Sequence, residues 1–374
     1  MKSVIIVQNI LSTVLTFRKV YISRLLSEGY TVVVLAPCDN KESRRRLVAM
    51  GCIVPELPLI KNIFLRSLLL NIALIKFRIK NFKNRHCIFV CHFISTYLLT
   101  YLSTLFLGKR LVLYVEGLGS LFATSKVRQW CLRRLVSLRS NNVLTCNNYE
   151  AKIIGVSKEN ITGGVGIELD KFASSTAFSK REILRIGYVG RLVADKGVFD
   201  AVTFFRYIIN NYHSEAELHF IGDVYPKNPS SLSQKDIKEI KEEFQDKVFF
   251  HGYVDNPEEH YNNIDILVLF SKCEGFPVCV MEAAACSVPS VVYDVPGCRD
   301  AVINNITGII VNKGEVKDAA RKFMDYWNNE SRFLKMKGAC FNLSKENFDA
   351  NVKAKQLVDY LEKCLKLNAD CWIL

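Results

Sequence analysis

The stretch Leu184-Arg-Ile-Gly-Tyr-Val-Gly-Arg-Leu-Val-Ala-Asp-Lys-Gly197 holds the fold in miniature. Its first six residues, Leu184–Val189, read as a short buried strand that Gly190 ends. Two cations, Arg191 and Lys196, follow before the next helical run. Glycine lets backbone approach an anion closely, and Arg plus Lys ahead of a helix N-terminus suit a diphosphate. The same segment also fits an ordinary turn with two solvated cations. No G-x-x-x-x-G-K-[ST] loop occurs, which argues against a P-loop nucleotidase.

Outward from this point the strand–turn–helix unit recurs. Downstream, strands are expected at Glu217–Ile221, Val248–Phe250, Ile266–Phe270, Ser290–Tyr293 and Gly308–Val311. Upstream they fall at Val4–Val7, Thr31–Ala36, Val54–Leu57, Ile88–Val90, Leu111–Val115 and Val143–Thr145, with helices beginning near Phe17, Lys41, Leu65, Ile94 and Lys126. Apolar strands alternating with helices imply parallel sheets covered on both faces. A length of 374 residues exceeds one core and suits two such α/β domains, each doubly wound and Rossmann-like. The expected boundaries are residues 1–165, a polar linker at 166–182, residues 183–345, and a C-terminal helix in 346–374 that packs back on the first domain. Ligands in such a pair belong at the carboxyl ends of the strands, in the interdomain cleft.

Two further patches sit at expected strand ends. Cys273-Glu-Gly-Phe-Pro-Val-Cys-Val-Met-Glu282 places Glu274 at a strand end and Glu282 eight positions on, in a helix beginning near Val278. The start of that helix offers N–H groups to a phosphate, and Glu282, one turn in, can accept hydrogen bonds from ribose hydroxyls. A loop Glu and a helix-dipole Glu account for the pair equally simply. Asp294-Val-Pro-Gly-Cys-Arg-Asp300 is either a plain αβ connection or a ligand contact.

Charge is unevenly spread. Of the net +13, residues 1–170 hold 24 Lys+Arg against 9 Asp+Glu, and the remainder is nearly neutral. Between Leu57 and Asn148 there are 14 cations and one acid, Glu116. Lys61, Arg66, Lys76, Arg78, Lys80, Lys83 and Arg85 mix with Ile63, Phe64, Leu68–Leu70, Ile72, Leu74 and Ile75, and Arg128, Arg133, Arg134 and Arg139 form a second strip. Cations around an apolar helix suit an anionic membrane surface, and an ordinary solvated helix face is the plain alternative. No nucleic-acid-binding module is present, so no nucleic-acid partner is expected. Thirteen cysteines without a C-x-x-C pair read as small buried hydrophobes in a reducing cytosol. The N-terminus lacks the apolar core of a signal peptide. Ile88–Leu107 has no charged residue, yet its hydroxyls and His92 make a buried strand and helix the better reading than a membrane span.

Taken together, Gly190-Arg-Leu192 with Lys196-Gly197, the Glu274-x7-Glu282 pair and Asp294-Val-Pro-Gly-Cys-Arg299 resemble the retaining nucleotide-sugar glycosyltransferases of family 4, which have the GT-B fold. The resemblance runs from Val4 to about residue 345. It is nearest to bacterial members that extend polyprenyl-diphosphate-linked sugars for O-antigen or capsule. Those carry an N-F-R-like segment, a G-L-G-x-x-F segment and a G-x-G-[IV]-D-like crossing loop. Here they are matched by Thr16-Phe-Arg18, Gly117-Leu-Gly-Ser-Leu-Phe122 and Gly164-Val-Gly-Ile-Glu168. The resemblance implies that the first domain faces acceptor and membrane, and that the second binds the donor. It assigns Arg191 and Lys196, with Gly190, to the donor diphosphate, and Glu282 to the nucleotide ribose. Glu274, with Gly275, Phe276, Pro277 and Val278, would face the transferred sugar, His92 would reach that sugar, and Arg18, Gly117 and Gly119 would meet the acceptor. By residue type alone, His92 is equally a satisfied histidine at a strand end. Glu116 stands where relatives often have Thr, Ser or His, and reads as an acceptor contact, a base or a local counter-charge. The first loop, Gln8–Thr13, lacks the relatives' glycine pair, and Cys286 stands where many have Gly.

The implied reaction is retaining transfer of a hexose or N-acetylhexosamine, with a UDP-sugar as the expected donor, onto a lipid-linked saccharide. The setting is bacterial surface polysaccharide synthesis, at the inner face of the cytoplasmic membrane. No D-x-D occurs, so transfer without a metal or other cofactor is expected. Retention proceeds either by double displacement through Glu274 or by front-face return. A sugar-nucleotide epimerase of the same build and an inactive binding subunit are the competing readings.

Overall fold

Residues 2–81, 84, 86–119, 122, 125–138, 142–172, 180–212, 215–226 and 228–370 are described by the computed structural model, with side chains to residue 366. The chain divides into two units. Unit 1 is Met1–Val165 with Ala350–Leu374, and unit 2 is Gly166–Asp349.

Unit 1 is built on five parallel strands: β1 (Ser3–Val7), β2 (Thr31–Leu35), β3 (Cys87–His92), β4 (Leu111–Val115) and β5 (Asn142–Thr145), in the order β2-β1-β3-β4-β5. Their Val, Ile, Leu and Cys side chains are buried on both faces, as the continuous apolar runs require. The order reverses between β1 and β3, so the carboxyl ends of those two strands flank a switch point. The helix Ala350–Asp370 packs along Leu11–Ser27, and its Glu362 accepts from Lys2 Nζ and, at 2.9 Å, from Tyr30 Oη.

Three sequence expectations shift in this unit. Val54–Leu57 is not a strand: only isolated bridges, Val33–Ile53 and Cys38–Pro58, tie the segment to β2 and its following loop. Pro55 and Pro58 lack the N–H that a sheet ladder needs. The first helix starts at Leu11, six residues before the expected Phe17. Ile94–Leu107 is not one helix but two, Ile94–Leu99 and Tyr101–Thr104. Thr100 between them turns its hydroxyl back onto the Thr96 carbonyl, 2.8 Å away, which competes with helical pairing. Among the described residues no helix is long and apolar enough to cross a membrane.

Unit 2 has six parallel strands: β6 (Leu184–Val189), β7 (Ala216–Ile221), β8 (Val248–Gly252), β9 (Ile266–Leu269), β10 (Ser290–Tyr293) and β11 (Gly308–Val311). The order β11-β10-β9-β6-β7-β8 is the Rossmann order, with its switch point between β6 and β9. Phe204, Phe220, Phe270, Phe323 and Phe333 fill the core between sheet and helices. The two ends of the unit meet, Ile167 donating its N–H to Phe348 O at 2.8 Å. Of the expected linker, residues 173–179 lie outside the described residues.

Candidate functional site

In unit 2 the switch point collects the first two sequence patches. Gly190 and Arg191 leave β6, while Ser271–Glu274 leave β9. The intervening turn is laced to the β9 loop: Lys272 N donates to Asp195 O at 2.9 Å, and Lys272 Nζ pairs with Asp195 at 3.1 Å. Gly197 makes this approach feasible. Its φ is +81°, and a Cβ there would sit 2.3 Å from Phe270 O. The outcome is an ion pair between Lys196 Nζ and Glu274 Oε1, whose side chain is 11% exposed. Arg191 is exposed, its guanidinium 5.2 Å from the Tyr225 ring centre.

The helix after Glu274 runs Val278–Ala285, and Pro277 gives its start no side-chain cap. Glu282 lies in that helix, but its carboxylate accepts from Tyr261 Oη at 2.7 Å. Burial raises its pKa to about 7 against the opposing pull of that hydrogen bond. The two members of the Glu274-x7-Glu282 pair therefore have separate partners. Phe276 packs edge-on against Phe348, and Pro277 is buried. The third patch is a buttress. Asp294 and Arg299 pair with each other at 2.9 Å, and Gly297, at φ +83°, lies so close to the carbonyls of Glu274 and Gly275 that a Cβ would meet both at 2.6 Å.

Unit 1 has its own polar cluster at the carboxyl ends of β1, β3 and β4. Arg18, on the helix after β1, is 1% exposed and pairs with Glu116 Oε2. The other oxygen, Oε1, is 2.8 Å from Nδ1 of the fully buried His92. The Arg18 guanidinium also lies 5.7 Å from the Phe93 ring centre and 5.9 Å from that of Tyr114. Burial and the Arg18 charge lower the His92 pKa to about 4, outweighing the pull of Glu116. Burial alone would raise that of Glu116, but the Arg18 charge and the His92 hydrogen bond overcome it and lower it. Phe93, directly after His92, has φ +68°, a strained backbone for an aromatic residue.

Arg18, expected to meet the acceptor, is thus spent inside the fold on Glu116. Gly117, expected beside it, donates its N–H to Glu150 Oε1 at 2.8 Å, and Gly119 is exposed with φ +70°. Ser120 and Leu121 of the same segment lie outside the described residues, as do Lys83, Arg85 and Arg139 of the basic strips. Sequence reasoning missed three residues. Tyr261 holds Glu282, Tyr225 carries Arg191, and Glu150 ties Gly117 to Cys146, whose N–H it accepts at 2.9 Å. Burial raises the Glu150 pKa to about 8 against those two N–H donors. Asn147 three residues before Glu150 is the pattern of a helix start, which was the available signal. Among the described residues no group of three or more His, Cys, Asp or Glu is placed to hold a metal ion.

The two parallel sheets are those of the GT-B glycosyltransferase fold. The structure of HepE from Anabaena in complex with UDP matches 97% of this chain and 100% of its own, with a TM-score of 0.76 at 14% identity. Residues 171–339, most of unit 2, match the family described as Glycosyl transferases group 1. The capsular polysaccharide biosynthesis glycosyltransferase CapM of Staphylococcus aureus is 27% identical over 56% of this chain and 56% of its own length. An N,N'-diacetylbacillosaminyl-diphospho-undecaprenol alpha-1,3-N-acetylgalactosaminyltransferase of Campylobacter jejuni is 32% identical over 29% of this chain and 28% of its own. The chain spans about half or less of the length of these curated relatives.

Proposed function

We propose that the chain is a retaining glycosyltransferase of bacterial capsule or surface-polysaccharide synthesis. It moves a hexose or N-acetylhexosamine from a UDP-sugar to a lipid-linked saccharide, without a metal cofactor. The observation that carries the reading is the Lys196–Glu274 pair at the β6/β9 switch point, with Arg191 exposed just after β6. A nucleoside diphosphate suits that point, where Arg191, Lys196 and the start of helix Val278–Ala285 supply positive charge. UDP is bound in the HepE structure, and a diphospho-undecaprenol substrate appears in the name of the Campylobacter relative.

In the reaction, the bond from the anomeric carbon to the diphosphate oxygen breaks as the bond to the acceptor oxygen forms. Arg191 and Lys196 stabilise the departing charge, and the leaving phosphate takes the acceptor's proton. With the leaving phosphate taking the acceptor's proton, Glu274 is assigned as a hydrogen-bond acceptor for sugar hydroxyls rather than as the nucleophile of a covalent intermediate. Glu282 receives the ribose hydroxyls on the oxygen that Tyr261 leaves unused.

The acceptor's lipid explains the basic half of the chain. Helix Ile63–Lys80 buries Leu70, Ala73 and Leu74 on one side yet exposes Phe64, Leu68, Ile72 and Ile79 on the other. Leu102, Leu105 and Phe106 are exposed in the neighbouring segment, where Phe106 O receives Arg78 Nε at 3.0 Å. An apolar stripe flanked by the exposed Lys76 and Lys80 fits the interface of an anionic leaflet, at about 1 kcal/mol per cation. Peripheral binding at the cytoplasmic leaflet follows.

A panel of nucleotide sugars offered with a synthetic lipid-diphosphate sugar tests the reading. Glu274→Ala should abolish transfer and keep UDP binding. Full turnover by that variant refutes the assignment.

A further inference from the structure

We propose that Glu116, anchored by Arg18, is a positioning residue that fixes the His92 tautomer, so that Nε2 presents a bare lone pair to a substrate hydroxyl. An ionised carboxylate only accepts hydrogen bonds. With Glu116 Oε1 2.8 Å from Nδ1, the ring proton belongs on Nδ1. Arg18 holds the carboxylate's other oxygen, so Glu116 cannot swing away. The ring is neutral in this burial, and Nε2 is left as an acceptor.

Two observations say that this acceptor is built for a ligand. His92 Nε2 is buried and has no partner among the described residues. Gln8 Oε1 is in the same state. Gln8 follows β1 as His92 ends β3, each one residue beyond the paired Val7 and Cys91, so both lie at the switch point on adjacent strands. The Gln8 amide is also fixed. Thr13 Oγ1 gives its proton to Ile10 O at 2.8 Å and so must accept from Gln8 Nε2, which leaves Oε1 bare. Two buried acceptors lacking donors cost stability unless something fills them. Their chemistry calls for O–H donors, as on a polyhydroxylated ligand. Assigning that ligand as the sugar rests on the glycosyltransferase reading, whereas the tautomer does not.

The test is long-range proton–nitrogen NMR of the imidazoles in the full chain, with His92→Asn used to assign the signal. The wild type should show His92 neutral, protonated on Nδ1 and bare on Nε2, from about pH 5.5 to about pH 8.5. A proton on Nε2, or titration near the ordinary value, overturns the proposal. In Glu116→Gln the amide can offer either an acceptor or a donor to Nδ1. The proton should then divide between the two nitrogens, and kcat should fall roughly ten- to a hundredfold while the nucleotide-sugar KM stays within about twofold. Unchanged tautomer and unchanged kcat overturn it. If the unpaired Arg18 prevents folding, the Arg18→Met/Glu116→Gln double variant removes both charges and is read the same way. A wild type that transfers no sugar, yet shows the Nδ1-protonated ring, refutes the glycosyltransferase reading and supports the positioning role.

Discussion

Replacing Lys196 by Met removes the cation paired with Glu274, and the size of the effect follows from the geometry. The Lys196 side chain is 27% exposed and that of Glu274 11%, so the pair is neither buried nor freely hydrated. When a diphosphate arrives, Lys196 exchanges or shares its carboxylate partner for a phosphate oxygen. A charge-assisted hydrogen bond of this kind contributes about 1.5–3 kcal/mol, or roughly ten- to a hundredfold in Kd. The variant also leaves Glu274 unpaired beside the phosphate, so repulsion moves the loss toward the upper end of that range. Isothermal titration with UDP and with uridine isolates the phosphate. UDP affinity should fall by that factor in Lys196→Met, while uridine affinity is unchanged. Lys196→Met/Glu274→Gln, which removes the repulsion, should recover part of the loss. Equal losses for UDP and uridine, or no loss for either, would refute the placement of the diphosphate at Lys196.

Two further outcomes are expected. Phe64→Ser with Leu68→Ser should weaken partitioning onto anionic vesicles about a hundredfold or more, because each removes an exposed apolar side chain of about 1.5–3 kcal/mol transfer value. Stability should not drop, and a loss of folding, or equal binding to neutral vesicles, would count against the membrane face. The second concerns acid. His92 has a folded pKa of about 4 against an ordinary 6.5. Its neutral form therefore stabilises the fold above about pH 6.5, and that contribution disappears as pH falls toward 4. The shift corresponds to about 3 kcal/mol. Urea melts from pH 7 to pH 4.5 should bring wild type and His92→Gln progressively closer in stability. A gap that stays constant across that range would show that His92 is not held neutral.

Much of this molecule is readable from its sequence because parallel sheets announce themselves. Leu111–Val115, Leu184–Val189, Ser290–Tyr293 and Gly308–Val311 are uninterrupted buried runs, and the strands form where those runs stand. Val54–Leu57 is apolar only at its two ends, and Pro55 and Pro58 withhold the donors a strand there would need. The Lys196–Glu274 pair was approachable, since two strand-end motifs at a switch point must meet. The Arg18–Glu116–His92 cluster was not. Its members are 24 and 98 positions from Glu116, and only tertiary packing decides whether Arg18, on the first helix, faces solvent or the interior. Tyr261 is invisible for the same reason: its partner Glu282 lies 21 residues away with no shared pattern.

The division of the chain also sets an order of assembly. Unit 2 is one continuous stretch, Gly166–Asp349, whose ends already meet through Ile167 and Phe348. Unit 1 is completed only by helix Ala350–Asp370, which covers Leu11–Ser27 and delivers Glu362 to Lys2 and Tyr30. During synthesis, therefore, the first five strands emerge early yet stay partly uncovered while the whole of the following unit is made and closes on itself. The half of the chain that begins first finishes last. Until then its apolar flank is open to chaperones, or to the very membrane surface on which it is proposed to work.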